Sequence, residues 1–284
     1  MSRRNRRGRH HGVADTTHQR LVNYRDLTNP LARQPAFSQD RVEAIHDTAL
    51  RVLEQLGIRV LNTEARDIFR RAGADVQEST QMVKLARELV EELRGLAPRE
   101  FVMYGGNAEA NVTLGGDKVA FVCVGGAPHI SDIDRGKRPG TIADTRNIIR
   151  LTEHFDVLHL QSPNVESQDV PVHLRHYAVT EAQLTLSRKP LFAYSRGTAQ
   201  VDDAFAMTQI ARGLTTAEFE AKPWCYTVIN TNSPRQLDIP MCQGIIDFAR
   251  AGQVSVITPF TLAGAMAPVS MPGALVLQHA EALA

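Results

Sequence analysis

Five polar loops hold nearly every side chain of this sequence that stands where chemistry is done in an α/β protein. The loops "GGAPHISDIDRG", "QSPNVESQDVP", "YSRGTAQ", "INTNSPRQLDIP" and "TPFTLAGAMAP" each follow a short apolar run. Between them they supply His129, Asn164, Tyr194, Arg196, Asn230, Asn232, Ser233 and Phe260, with Tyr226 inside the fourth run. Such loops carry function more often than other segments. Each candidate also has a plainer role, because Asn and Pro shape turns and Tyr194 or Phe260 can serve as core aromatics. Lys189 and Lys222 both precede their apolar runs, so no lysine stands where Schiff-base chemistry would need it. The nucleophile elbow G-x-S-x-G is absent, which argues against a serine hydrolase. No acid–base pair is evident, and the inventory suits binding and positioning more than proton transfer.

Other motifs carry less. His173 and His176 in "HLRH" sit three apart on an expected helix, but no third ligand stands at a telling spacing, and a metal site needs three or four. Gly125-Gly126 lacks the G-x-G-x-x-G spacing of a dinucleotide fold. Cys123, Cys225 and Cys242 form no CxxC pair, and with no signal peptide they read as reduced, packed thiols of a cytoplasmic protein.

The elements that must position these loops repeat as a strand, a polar loop and an amphipathic helix. The apolar runs are "VAFVCV", "VLHLQS", "PLFAYS", "WCYTVIN" and "SVITPF", with helices expected near 141–154, 171–187, 200–213 and 238–251. Near-continuous apolar runs are what parallel strands covered on both faces require, so the expectation is an α/β fold with a parallel sheet. A closed barrel takes eight such units, and five are found here. A doubly wound open sheet could be complete with five strands, but its Gly fingerprint is missing. The last helix, "MPGALVLQHAEALA", carries no stop signal. The balance is therefore toward a TIM-type (β/α)8 barrel that is incomplete, with about five βα units.

Ahead of these units, residues 38–98 read as a small helical lead-in domain, with helices over 38–57, from Asn62 to Gly73, and from Leu85 to Gly95. Residues 99–284 form the catalytic domain and open with strands separated by Gly-Gly-Asn and Gly-Gly-Asp turns. Residues 1–37 read as a disordered tail: "MSRRNRRGRHHG" places five arginines and two histidines in twelve residues with almost nothing apolar. A solvated segment is the plain reading of that tail, and contact with RNA, lipid or an acidic protein is the alternative. No apolar segment follows the arginines as a secretory signal would need, and no run is long enough to span a bilayer. The balance of 32 basic and 31 acidic residues points to neither nucleic acid nor membrane as a partner, and 43% hydrophobic content over 284 residues can bury a large core.

The stretches "INTNSPRQLD", "MCQGIIDFARAGQVSVITPFTLAGAMAPV" and "PGALVLQHAEALA", with "ALRVLEQLGIRVLN" in the lead-in, resemble the trimethylamine methyltransferase family. The resemblance implies a TIM barrel preceded by helices and a methyl transfer from a tertiary or quaternary amine, such as trimethylamine or glycine betaine, to the cobalt of a corrinoid on a partner protein. It implies no cofactor held by this chain itself. It also implies that the chain stops before the last barrel strands and before the position where some members carry pyrrolysine. A quaternary ammonium has no proton to donate and is held by aromatic faces, a role for Tyr194, Tyr226 and Phe260. Arg196, Asn230, Asn232 and Ser233 would meet the carboxylate of a betaine. An open sheet with unpaired edges is expected to aggregate or form oligomers, and a non-catalytic fragment that binds a ligand or partner chain is the alternative reading.

Overall fold

The computed structural model describes residues 23–284. The arginine-rich start of the expected tail therefore lies outside the described residues. Residues 23–37, expected to belong to the same tail, run along the surface and are tied down at several points. Within them β1 (Leu27–Thr28) pairs antiparallel with residues 118–119. Arg25 Nε donates to Asp156 at 2.6 Å, and Arg33 donates to Asp117 at 2.7 Å.

The lead-in follows as α1 (Gln39–Gln55), β2 (Ile58–Val60), α2 (Thr63–Arg71), β3 (Asp75–Gln77), β4 (Met82–Lys84) and α3 (Arg87–Leu96). The three expected helices are present, but the segments between them are extended, so this part is mixed rather than helical. The alternation in "GIRV" puts Ile58 and Val60 inside and Arg59 outside, and β2, β4 and β3 pair antiparallel. Asn62 caps α2, its Oδ1 accepting from Ala65 N at 3.0 Å.

The remainder runs β5 (Glu100–Met103), β6 (Val112–Gly115), β7 (Lys118–Val119), β8 (His129–Asp132), β9 (Gly136–Pro139), α4 (Ile142–His154), α5 (Arg175–Leu186), β10 (Leu191–Phe192), α6 (Thr198–Arg212), α7 (Thr216–Glu220), β11 (Cys225–Ile229), β12 (Gln236–Leu237), α8 (Ile239–Arg250), β13 (Val254–Ile257) and α9 (Met271–Leu283). The helices α4, α5, α6 and α8 fall where the periodicity predicts them; the short α7 is additional.

The five apolar runs lie side by side and point the same way. β10, β11 and β13 form a three-stranded parallel sheet. The two earlier runs continue it through single links: a parallel bridge joins Val122 to Leu160, and Gln161 N donates to Pro190 O at 3.1 Å. These two runs do not form regular strands. One cause is His159, whose Nδ1 accepts the Phe121 N–H that a regular ladder would give to a carbonyl. The described residues form a mixed α/β fold that contains no closed barrel.

A shared sheet and a shared core bind the lead-in to the βα units. β12 pairs parallel with β2, giving a four-stranded sheet, and one apolar core joins Leu50, Leu53, Ile58 and Val83 to Cys242, Ile246 and Ala280. Burial in that core pushes the Cys242 thiol up to about 12, so it packs as an inert apolar group. The loop after β11 is pinned by Glu281 of α9, which is 3% exposed. Ser233 Oγ and the Arg235 N–H donate to its two oxygens at 2.6 and 2.7 Å, and the Thr231 hydroxyl donates as well.

Glu281→Ala leaves three donors in a buried place without an acceptor and is expected to destabilise the fold by about 2–4 kcal/mol, read from urea unfolding.

At the junction of α1, α3 and α9, His46 donates from Nε2 to Glu91 at 2.5 Å, and its Nδ1 lies 2.8 Å from His279 Nε2. That second contact needs one proton between two nitrogens and has no room for two. Burial, then the neighbouring His46 and Arg94, lower the His279 pKa, with Glu91 opposing. A lowered folded value means that this contribution is complete above the unfolded imidazole's pKa of about 6.5 and is lost as pH falls below it. Urea midpoints at pH 7.5 and 5.5 should therefore differ more in the unsubstituted protein than in His279→Gln.

Candidate functional site

Alternation along the parallel runs separates two populations of side chains. Leu191, Ala193 and Cys225 face outward and pack with Val201, Phe205, Phe219 and Phe248 of the helical layer. Ala120, Val122, Leu160, Ser162, Phe192, Tyr194, Tyr226, Val228, Val254 and Val256 all line a cavity of about 620 Å³ on the other face. Within each run these positions are two apart, as the period of a strand requires, and Cys123, Ser195 and Thr227 border the cavity as well.

The floor of the cavity is the β5–β6 hairpin. Met103 and Val112 pack against Leu160, Phe192 and Tyr226. Tyr104 N donates to Pro223 O at 2.8 Å, and Gly106 N donates to Arg188 O at 2.5 Å, both just ahead of parallel strands. With the amino-terminal ends covered, the polar loops at the carboxyl ends form the mouth.

An aromatic group stands on the concave wall. The Phe192 ring meets Tyr194 and Tyr226 edge to face, with centroids 5.2 and 5.5 Å away. Tyr226 is 5% exposed and its hydroxyl donates to Gln161 O at 2.6 Å, so it offers the cavity only its ring. Tyr194 keeps a freer hydroxyl, 3.5 Å from Glu166 Oε1. Burial, and then the charge of Glu166, raise its pKa, so the phenol stays protonated at neutral pH.

Glu166 is the charge at the centre of the mouth. Its side chain is 14% exposed, and the polar groups around it stand off: Tyr194 Oη at 3.5 Å, Arg196 at 3.6 Å and Arg175 at 3.8 Å. The backbone that carries it is fixed more firmly. Glu166 N donates to Ala127 O at 2.9 Å, and Gly126 N donates to Asn164 O at 2.7 Å, which joins the first two loops. A Cβ at Gly125 would fall 2.2 Å from Pro163, so that close approach requires glycine.

The expected site residues divide into three groups. Tyr194, Arg196, Tyr226 and Asn230 line the cavity. Asn164, Asn232 and Ser233 do not line it, and each is held by hydrogen bonds of its own. Asn164 is buried with φ +51° and accepts from Ser162 Oγ at 2.8 Å, its Nδ2 meeting no partner among the described residues. Asn232 accepts from Asp238 N at 2.9 Å ahead of α8, and Ser233 is engaged with Glu281. His129 and Phe260 are not brought to the cavity. His129 lies exposed on the β8–β9 hairpin, which Arg138 anchors to buried Asp144, and Phe260 is 55% exposed on the loop after β13. Among the tempting histidines, His176 meets Asp203 at 3.1 Å.

Two residues of the site escape a reading based on single loop positions. Phe192 shares the parity of Tyr194, a signal present in "PLFAYS" once the inward register is known. Glu166 lies two positions after Asn164 in the same loop, and only the fold brings it to Tyr194 and Arg196.

Aromatic faces and a sparsely satisfied carboxylate at the carboxyl ends of parallel strands define an α/β protein with a ligand pocket at the usual end of its sheet. The chain belongs to the trimethylamine methyltransferase (MTTB) family, whose model matches residues 3–284. It is 32% identical over 255 residues to the glycine betaine methyltransferase of Desulfitobacterium hafniense (strain Y51), covering 89% of this chain and 53% of that one. It is 29% identical over 257 residues to trimethylamine methyltransferase MttB1 of Methanosarcina mazei, covering 87% and 51%. The chain thus spans about half the length of the curated relatives it matches. A solved structure of the hydroxylamine MtmB complex aligns at a TM-score of 0.48 and 9% identity, over 86% of this chain and 55% of that one.

Tyr226→Phe removes the buried bond to Gln161 and keeps the ring, so it should lower stability by about 1 kcal/mol in urea unfolding while leaving the cavity wall intact.

Proposed function

We propose that this chain supplies the methyl-donor site of a methylated-amine:corrinoid methyltransferase, within a TIM-type (β/α)8 barrel. The substrate is a tertiary or quaternary amine such as trimethylamine or glycine betaine. The acceptor is the cobalt of a corrinoid carried by a partner protein, a second substrate rather than a resident group. Family membership and the two relatives support the reaction class. The observation that carries the reading to this cavity is the placing of Glu166 beside Tyr194, with Phe192 and Tyr226 behind.

A quaternary ammonium centre is a diffuse cation with no N–H donor, and a protonated tertiary amine carries only one. Aromatic faces and a nearby carboxylate attract it, and a partly buried setting strengthens both effects. Glu166 suits this because its polar neighbours stand 3.5–3.8 Å away and leave it short of close partners. When a methyl group leaves a quaternary ammonium, or a tertiary amine that has entered protonated, toward reduced cobalt, the C–N bond pair stays on nitrogen and a neutral amine departs. The cobalt supplies the electron pair of the new bond. The chain's own task is to orient one methyl toward the mouth and keep the nitrogen against the aromatic wall. No proton has to move for a quaternary donor, and no acid–base dyad is needed.

Mixing the protein with cob(I)alamin and glycine betaine or trimethylamine should yield methylcobalamin, followed by absorbance. Glu166→Gln should lower that rate by about 10–100-fold. Absence of transfer from every methylated amine tried overturns the reading, and an undiminished rate in Glu166→Gln removes the carboxylate from it.

A further inference from the structure

Arg196 already occupies the kind of place that an ammonium ligand needs. Its guanidinium carbon lies 5.2 Å from the centroid of the Tyr194 ring, and its Nη2 lies 3.6 Å from Glu166 Oε1. One cation of the protein itself thus faces both features that would draw a cationic substrate. It is weakly held: the side chain is 62% exposed, and its carboxylate contact is longer than a hydrogen bond. That exposure leaves the guanidinium room to turn away into solvent. Arg175, the second cation near Glu166, is engaged elsewhere, its Nε donating to Val170 O at 2.9 Å.

We propose that Arg196 is a built-in stand-in for the substrate cation, displaced on binding, and that it sets specificity toward amines that also carry a carboxylate. The inference rests on the cation-binding reading above and deepens it. A ligand cation entering between Tyr194 and Glu166 must move the guanidinium out, which costs the cation–aromatic and ion-pair contacts. A bare tetraalkylammonium gives Arg196 nothing in return. A betaine brings its own carboxylate on a short tether, and a guanidinium swung toward the mouth can donate charge-assisted hydrogen bonds to it. The same residue then opposes one class of ligand and favours the other. A fixed carboxylate-binding arginine would favour betaines without opposing simple cations.

The test is equilibrium binding by calorimetry of tetramethylammonium and of glycine betaine to the protein and to Arg196→Ala. Removing the stand-in should tighten tetramethylammonium by about three- to tenfold, the scale of a lost cation–π competitor. It should weaken glycine betaine by about tenfold, the scale of a lost charge-assisted contact. Arg196→Lys, which keeps a cation without the planar fork, should retain weak tetramethylammonium binding. If Arg196→Ala weakens both ligands or changes neither, the displacement idea is wrong while the cation site stands. If neither ligand binds either protein, the cation site itself is wrong and this inference goes with it.

Discussion

The alternation of side chains along parallel, neighbouring runs is the constraint on which the rest of the molecule depends. Because the neighbouring runs share direction, one set of alternate residues packs on the helices and the other supplies most of the wall of a single concavity. A slip of one residue in any run would exchange them, sending Leu191 and Cys225 into the cavity and Phe192 and Tyr226 into the helical layer. The aromatic wall and the outer core are therefore two results of the same pairing.

That constraint places the wall, and the loops place the charges. Glu166 reaches the mouth because the first two loops are stitched together at Gly126–Asn164 and Ala127–Glu166. Arg196 reaches it because β10 ends at Phe192, Tyr194 follows as the next inward-facing residue, and Gly197 with its positive φ comes directly after Arg196. The cavity's polarity is concentrated at one end, with apolar side chains of the β5–β6 hairpin at the other. A ligand entering there finds charge first and aromatic surface beneath it.

How much of this was legible in the sequence depends on the range of the interaction concerned. Helix positions followed from periodicity and caps, since those signals are local: α4, α5, α6 and α8 fall close to their expected spans. The parallel direction of the runs followed from their continuous apolarity. Regularity did not follow: "VAFVCV" and "VLHLQS" are linked by single bridges, and the His159 ring takes a backbone donor there. The short strands of the lead-in were hidden among helix signals, because three residues such as Ile58–Val60 carry too little pattern. At the site, Tyr194 and Arg196 could be named from position alone. Glu166 could not, because its role comes from neighbours 28 and 30 residues further on, and Ser233 looked ligand-facing only because its partner Glu281 is 48 residues away.

The pairing of β12 with β2 has a kinetic consequence. Arg235, beside that pairing, donates to the carbonyls of Leu56 and Gly57, with 179 residues separating Arg235 from Leu56. Contacts between points so far apart on a chain form late, because the intervening loop must close before they reward it. During synthesis the lead-in leaves the ribosome with the edge of β2 bare and waits for most of the βα units to follow. That edge is three residues long and has the charged Arg59 at its middle, a brief and poorly adhesive template for stray strands during the wait.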